Sequence, residues 1–295
     1  LKSPDANIRN FSKEKIEAIT NAFDALLKRV LSIPEKQEMI EKLQLEVSVI
    51  CFDTDILERK LQGLKSLIEI IKNIKSGSIK FLTNAQLNEI IKKYDVFDKI
   101  YGKAGHVSMI QRSADFLRHM INENSVELDQ FELVWSASQK GDKEAKLAVY
   151  KVLSELSLQF KEEHLEFIIN KISEIPPNEV IPEELELVYE LNRYITRPAA
   201  VMKKSCDFYW NIITGSKVFS SAVSEQALTR FCDTMKGHEQ RFKVLLDCVA
   251  NIESGVSVLS SIKIIKKLID SYPSVASETE KFTKTSCLDH LVSEK

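Results

Sequence analysis

Ile56-Leu57-Glu58-Arg59-Lys60-Leu61-Gln62-Gly63-Leu64-Lys65-Ser66-Leu67-Ile68-Glu69-Ile70-Ile71 places its apolar residues at steps of three and four. Leu57, Leu61, Leu64, Leu67, Ile68 and Ile71 therefore fall on one side of a helix, with most of the charges on the other. The stretch lacks the two-residue alternation of a half-buried strand. It is expected to be a long helix, entered through Asp53 or Asp55 as cap and left at Ser76-Gly77.

The same period continues in both directions. Upstream, Ile16, Ile19, Phe23, Leu26, Leu27 and Val30 mark a helix from near Ser12 that stops before Pro34. Pro34-Glu35 then opens the next, because proline needs no amide partner in a first turn and the carboxylate meets the positive end of the helix dipole. Glu46-Val47-Ser48-Val49-Ile50-Cys51 could form a strand in isolation, but its neighbours have helical spacing and it is assigned to buried helix. Downstream, Thr83-Asn84-Ala85-Gln86 is a capping box ahead of Leu87, Ile90 and Ile91. Further stripes contain Phe116 and Met120 after His106, Phe131, Val134 and Trp135 after Ser125, Val149, Val152 and Leu153 after Asp142, and Leu165, Ile168 and Ile172. Pro176-Pro177 interrupts the series and Pro182 restarts it, with Leu185, Val188, Leu191 and Ile195 in a helix ended by Pro198. Helices are also expected over Val201–Ile213, Ser224–Lys236, Glu239–Ile252, Gly255–Ser271 and Ser274–Leu291.

Eight glycines and seven prolines in 295 residues are about 5%, against an average near 12%, so few tight β-turns are available. An all-α protein follows. About fourteen helices with short loops, paired at roughly 40 residues per pair, fit an armadillo- or HEAT-like helical-repeat solenoid. No residue motif recurs strictly, and a non-repetitive helical bundle is the competing architecture. The expected organisation is one solenoid fragment over 1–295. Glu174 to Glu184, with its three prolines, is either a bent loop within it or a subdomain boundary, and the strong helices on both sides favour the loop.

A formal net charge of −2 supplies no basic field for nucleic acid or acidic lipid. The five cysteines are tens of residues apart, which points to a reducing compartment, and no apolar run reaches the ~18 to 20 residues of a membrane span. The polar start Leu1-Lys2-Ser3-Pro4-Asp5, without Met, suggests a fragment of a longer protein.

Catalytic and metal chemistry find no foothold. Cys206, Cys232 and Cys248 sit in apolar helical stretches, as core thiols do. Cys287 and His290 share a helix face, but no second Cys/His pair lies near them to complete a metal site. An all-α hydrolase using that pair is the remote alternative. His106, His119, His164 and His238 are scattered and are expected as caps or surface residues. Glu162-Glu163 and Glu183-Glu184 suit helix first turns. Gly102-Lys103-Ala104-Gly105 and Gly141 follow no strand, so neither is a phosphate loop. Trp135 and Trp210 are expected to pack in the core. Lys263, Lys266 and Lys267 form a basic face beside Ile262, Ile265 and Ile269, either solvated or facing a partner's acidic surface. No catalytic, cofactor-binding or metal-binding residue is assigned.

One set of segments carries a resemblance: Leu57-Glu58-Arg59-Lys60-Leu61-Gln62-Gly63-Leu64, Phe81-Leu82-Thr83-Asn84-Ala85-Gln86, Phe116-Leu117-Arg118-His119-Met120, Leu128-Asp129-Gln130-Phe131-Glu132-Leu133-Val134-Trp135, Val149-Tyr150-Lys151-Val152-Leu153-Ser154-Glu155-Leu156 and Glu163-His164-Leu165-Glu166-Phe167. Over about residues 45 to 170 the chain resembles the N-terminal armadillo-like region of the very large ubiquitin-specific proteases of the fat-facets type. The resemblance implies a cytoplasmic cysteine isopeptidase whose papain-like domain lies far downstream, announced by a Gly/Asn-rich Cys segment and a later His box. Neither pattern occurs here, so no catalytic residue is carried over. What it implies for this chain is a non-catalytic scaffold that recruits protein substrates or adaptors, ubiquitinated ones included. No cofactor, nucleic acid or membrane is expected, and the oligomeric state stays open. A stand-alone helical-repeat adaptor with no attached enzyme is the alternative.

Overall fold

The computed structural model describes residues 13–30, 34–103, 105–139, 142–193, 198–215, 219–235 and 238–272. Regular structure among them is all helical: fifteen α-helices and three short 3-10 turns. The chain divides into two compact units, Leu1–Phe160 and Lys161–Lys295.

The first unit begins with α1 (Lys13–Val30), α2 (Pro34–Ile50) and α3 (Leu57–Lys75). Pro34 and Glu35 open α2 as expected. Glu46 to Ile50 complete that helix and Cys51–Asp53 continue as a 3-10 turn, with Val49, Ile50, Cys51 and Phe52 buried. Neither Asp53 nor Asp55 caps α3. The Thr54 hydroxyl instead accepts from the Ile56 amide at 3.0 Å, while Asp53 forms an ion pair with Lys99 from across the unit. α3 ends at Ser76, and Gly77 takes the left-handed φ of +72° that closes such a helix most easily. Along its inner face Leu64, Leu67, Ile70 and Ile71 are almost wholly buried, each contributing about 1.5–3 kcal/mol of burial.

α4 (Asn84–Lys93) starts at the predicted capping box: Thr83 Oγ1 accepts from the Gln86 amide at 3.3 Å, and Gln86 Oε1 accepts from the Thr83 amide at 3.0 Å. Two short helices follow: α5 (Val96–Tyr101), absent from the sequence expectation, and α6 (Val107–Gln111), which begins after His106 where a helix is expected. Asp95 turns the chain between α4 and α5 with φ +46°, a conformation Asp tolerates better than most residues. His106 caps α6 through Nδ1, and the helix expected to run on to Met120 breaks at Arg112-Ser113 before α7 (Ala114–Asn122). α8 (Leu128–Ser138) and α9 (Lys143–Glu155) complete the unit, the latter capped by Asp142. α2 packs on α3 and α9 on α8, neighbours in sequence, while α9 also reaches α6 and α8 reaches α5. Phe116, Phe131, Val149 and Leu153 lie at the centre, and Trp135 stacks on Tyr150 at 5.9 Å.

The second unit contains α10 (Glu162–Ser173), α11 (Pro182–Asn192), α12 (Ala199–Thr214), α13 (Ser221–Thr234), α14 (His238–Glu253) and α15 (Val258–Ser271). Pro177–Glu179 form a 3-10 turn between α10 and α11, and Pro182 occupies the first turn of α11 as expected. Glu184 is buried in that turn and its carboxylate accepts from the Ile181 amide at 2.8 Å. α11 stops at Asn192 rather than running to Pro198, which instead precedes α12. The Asn192 amide donates to Ser205 Oγ at 2.6 Å, binding the end of α11 to α12, and Tyr209 donates to the Leu185 carbonyl at 2.8 Å. α10 packs on α12, α11 and α12 on α13, and α15 on α13 and α14. The helices expected from Ser224 and Gly255 begin at Ser221 and Val258. Ser274–Leu291, with Cys287 and His290, lies outside the described residues, as does Ile195. No helix among the described residues is long and apolar enough to cross a membrane.

Candidate functional site

The described thiols are poor nucleophiles. Burial pushes Cys51 and Cys206 up to about 11, and Cys232 and Cys248 up to about 12. At neutral pH each is a protonated thiol in an apolar setting, where nucleophilic catalysis needs a thiolate. Cys51, Cys232 and Cys248 are core residues and Cys206 is half-buried. Among the described residues no three His, Cys, Asp or Glu side chains gather as metal ligands would.

Two histidines are buried, and one of them, His119, departs from the cap-or-surface expectation. His119, on α7, is fully buried and neither ring nitrogen has a protein partner. His164 is buried in the first turn of α10, where Nδ1 lies 3.4 Å from the Lys161 amide it accepts from, so it is a buried cap. Burial lowers the pKa of both; at His119 Lys75 lowers it further against Glu123, and at His164 Glu163 opposes Lys161. A base whose folded pKa lies below its unfolded value of about 6.5 contributes its stability fully above that pH and loses it as the pH falls, because the unfolded chain takes the proton first. The thermal midpoint of the chain should therefore drop between pH 7.5 and 5.5. His119→Leu should flatten that dependence, and an identical pH profile in this variant would remove His119 as a cause.

Ion pairing in the second unit is structural. Arg230 on α13 meets Glu186 of α11 at 2.6 Å and covers the Tyr189 ring at 4.4 Å, joining the two helices. Among the open grooves of the described residues, two bring together clusters of like charge. In the first unit a hollow of about 460 Å³ has Ile91, Val96, Phe97 and Met120 in its floor, with Asp95, Asp98, Glu127 and Asp129 around it against Lys92. The four carboxylates come as two pairs, Asp95 with Asp98 and Glu127 with Asp129, and only the fold brings the pairs together. In the second unit Lys263, Lys266 and Lys267 line a groove of about 470 Å³ between α13 and α15. These are the lysines singled out in the sequence.

A family model described as the UBP24/USP9X/USP9Y ARM repeat matches residues 38–294. The chain belongs to this family. No curated protein matches it. The ARM repeat assignment, with helices alone among the described residues, makes the fold an all-α helical-repeat solenoid and decides against the non-repetitive bundle. It identifies the chain as a scaffold region of the USP9X-like ubiquitin-specific proteases, and it extends beyond the quoted resemblance to take in α11 to α15. Within the ARM repeat the residues that carried the resemblance are mainly packing residues: Phe116, Leu117, Phe131, Val149, Leu153 and Leu165 are buried. The family signature is thus a pattern of core contacts, and the interaction chemistry has to be sought on the grooves and exposed faces.

Proposed function

We propose that the chain is the non-catalytic arm of a large ubiquitin-specific protease, recruiting protein substrates or adaptors for removal of ubiquitin by a downstream cysteine-protease domain. The observation that carries this reading is the ARM repeat match across residues 38–294. The buried, protonated thiols support a scaffold rather than a nucleophile. A stack of helical repeats suits recruitment because each repeat adds exposed surface without requiring a new type of core. Four free cysteines among the described residues support a reducing, cytoplasmic setting.

Incubated with a ubiquitin-fluorophore amide, the isolated chain should release no fluorophore. Robust turnover abolished by one Cys→Ala change would overturn the scaffold reading. Translation of the parent transcript past Lys295 tests the other half. A Gly/Asn-rich Cys segment followed by a His box is the expected result, and a frame containing neither would replace the protease arm with a stand-alone adaptor.

A further inference from the structure

We infer that α15, with the groove it shares with α13, is a docking site for an acidic amphipathic helix of a partner protein. The buried side of α15 is Ser260, Ser261, Ile264 and Leu268, and Ser260 Oγ donates to the Ile213 carbonyl at 3.0 Å. The opposite side presents Leu259, Ile262, Lys263 and Lys266, a single stripe at helical spacing. Val256 precedes the helix and is set off from it by Ser257, whose φ is +47°. Val256, Leu259 and Ile262 are 56%, 66% and 49% exposed, and they are three of the nine large apolar side chains exposed among the described residues. Single exposed apolar residues are ordinary on protein surfaces, whereas Leu259 and Ile262, one turn apart on the same helix and beside the lysines, form a surface that a partner can cover.

The charge beside the patch defines that partner. Lys263, Lys266 and Lys267 line the groove with Ser221, Ser224 and Leu228 of α13. Glu225 and Asp270 lie in the same groove, yet among the described residues neither pairs with any of the lysines. An incoming carboxylate would accept from the exposed Lys263 and Lys266 ammonium groups, while leucine-like side chains one turn away cover Leu259 and Ile262. A bilayer surface fits less well, because Glu225 and Asp270 would face lipid phosphate, whereas a helix with spaced carboxylates can keep clear of them. The use of this site in recruitment rests on the scaffold reading above. The binding itself is measured independently of it.

The probe is a fluorescein-labelled helical peptide with leucines along one side and glutamates flanking them, titrated with the whole chain and followed by anisotropy. A control peptide has glutamine in place of every glutamate. The glutamate peptide should bind, and the control should bind at least about tenfold more weakly, a difference of about 1.4 kcal/mol. K263E/K266E should weaken binding about tenfold or more, and Leu259→Ser should also weaken it. All three side chains are exposed, so the circular dichroism melts should match that of the unsubstituted chain. Absence of binding, equal affinity for both peptides, or binding indifferent to K263E/K266E overturns the inference. So does sedimentation with phosphatidylserine vesicles without peptide binding. Failure of docking with no ubiquitin cleavage refutes this site alone, whereas ubiquitin cleavage by the chain refutes the scaffold reading whatever the peptide does.

Discussion

Replacing Glu41 with alanine lowers the stability of the first unit by about 3–5 kcal/mol. Glu41 is on α2 and only 1% exposed, yet it sits among backbone amides rather than cations. Its Oε2 accepts from the amides of Phe81 at 2.8 Å and Leu82 at 3.1 Å, and its Oε1 from the amide of Lys80 at 3.2 Å and from Gln37 Nε2 at 3.1 Å. One carboxylate therefore satisfies three consecutive amides of the segment leading into α4 and holds it against α2. Alanine removes every acceptor together, and each amide left buried without a partner costs about 1–3 kcal/mol, less where water reaches it. Glu41→Gln keeps one carbonyl oxygen but turns an NH2 toward the donors, so it should fall between the wild type and alanine. Urea denaturation of the whole chain measures the loss, and hydrogen exchange at 80–82 locates it. A change under about 1 kcal/mol with those amides still protected would show that the carboxylate is not what holds the segment.

Glu41 marks where sequence reading stops. The features visible in the sequence depend on residues within a turn or two of one another: the α3 stripe, the Thr83 box, Pro34 and Pro182 in first turns, and Asp142 as a cap. The features that were not visible depend on partners far along the chain. Glu41 looks like a surface charge until Lys80 to Leu82 are brought beside it, and Asp53 looks like a helix cap until Lys99 takes it. Likewise, the apolar spacing through Ile195 overrode a helix end that Asn192 makes with Ser205. α5 was hidden because a helix this short gives too few turns for a period to register and because Asp95 turns the chain through a positive φ, and the break that separates α6 from α7 leaves no mark in the spacing. The candidate site divides in the same way. Lys263, Lys266 and Lys267 are contiguous on one helix and were legible, whereas Ser224 and the four carboxylates of the other groove required the fold.

Gly63→Ala should destabilise the first unit by about 2 kcal/mol, although local helix preference predicts the reverse. Gly63 lies inside α3, where alanine is better than glycine by about 1 kcal/mol in an exposed helix interior. Here the residue is buried, and a Cβ built on it would lie 2.7 Å from the Ser48 carbonyl oxygen and 2.8 Å from Cys51 Cβ. Neither neighbour is the free end of a flexible side chain. One is the backbone of α2, and the other is fixed at the start of the 3-10 turn. Relief therefore requires α2 and α3 to move apart, loosening the burial of Leu64, Leu67 and Val49. Overpacking of this kind typically costs about 1–3 kcal/mol and outweighs the gain in propensity. Gly77→Ala provides the contrast. No atom lies within 4 Å of the added Cβ, but φ is +72°, so only backbone strain of about 1 kcal/mol applies. If thermal melts rank Gly63→Ala above the wild type, the close approach of α2 to α3 is softer than these distances imply. If they rank it below Gly77→Ala, the small residue at this crossing is required by packing between neighbouring helices, the interaction on which a repeat stack depends.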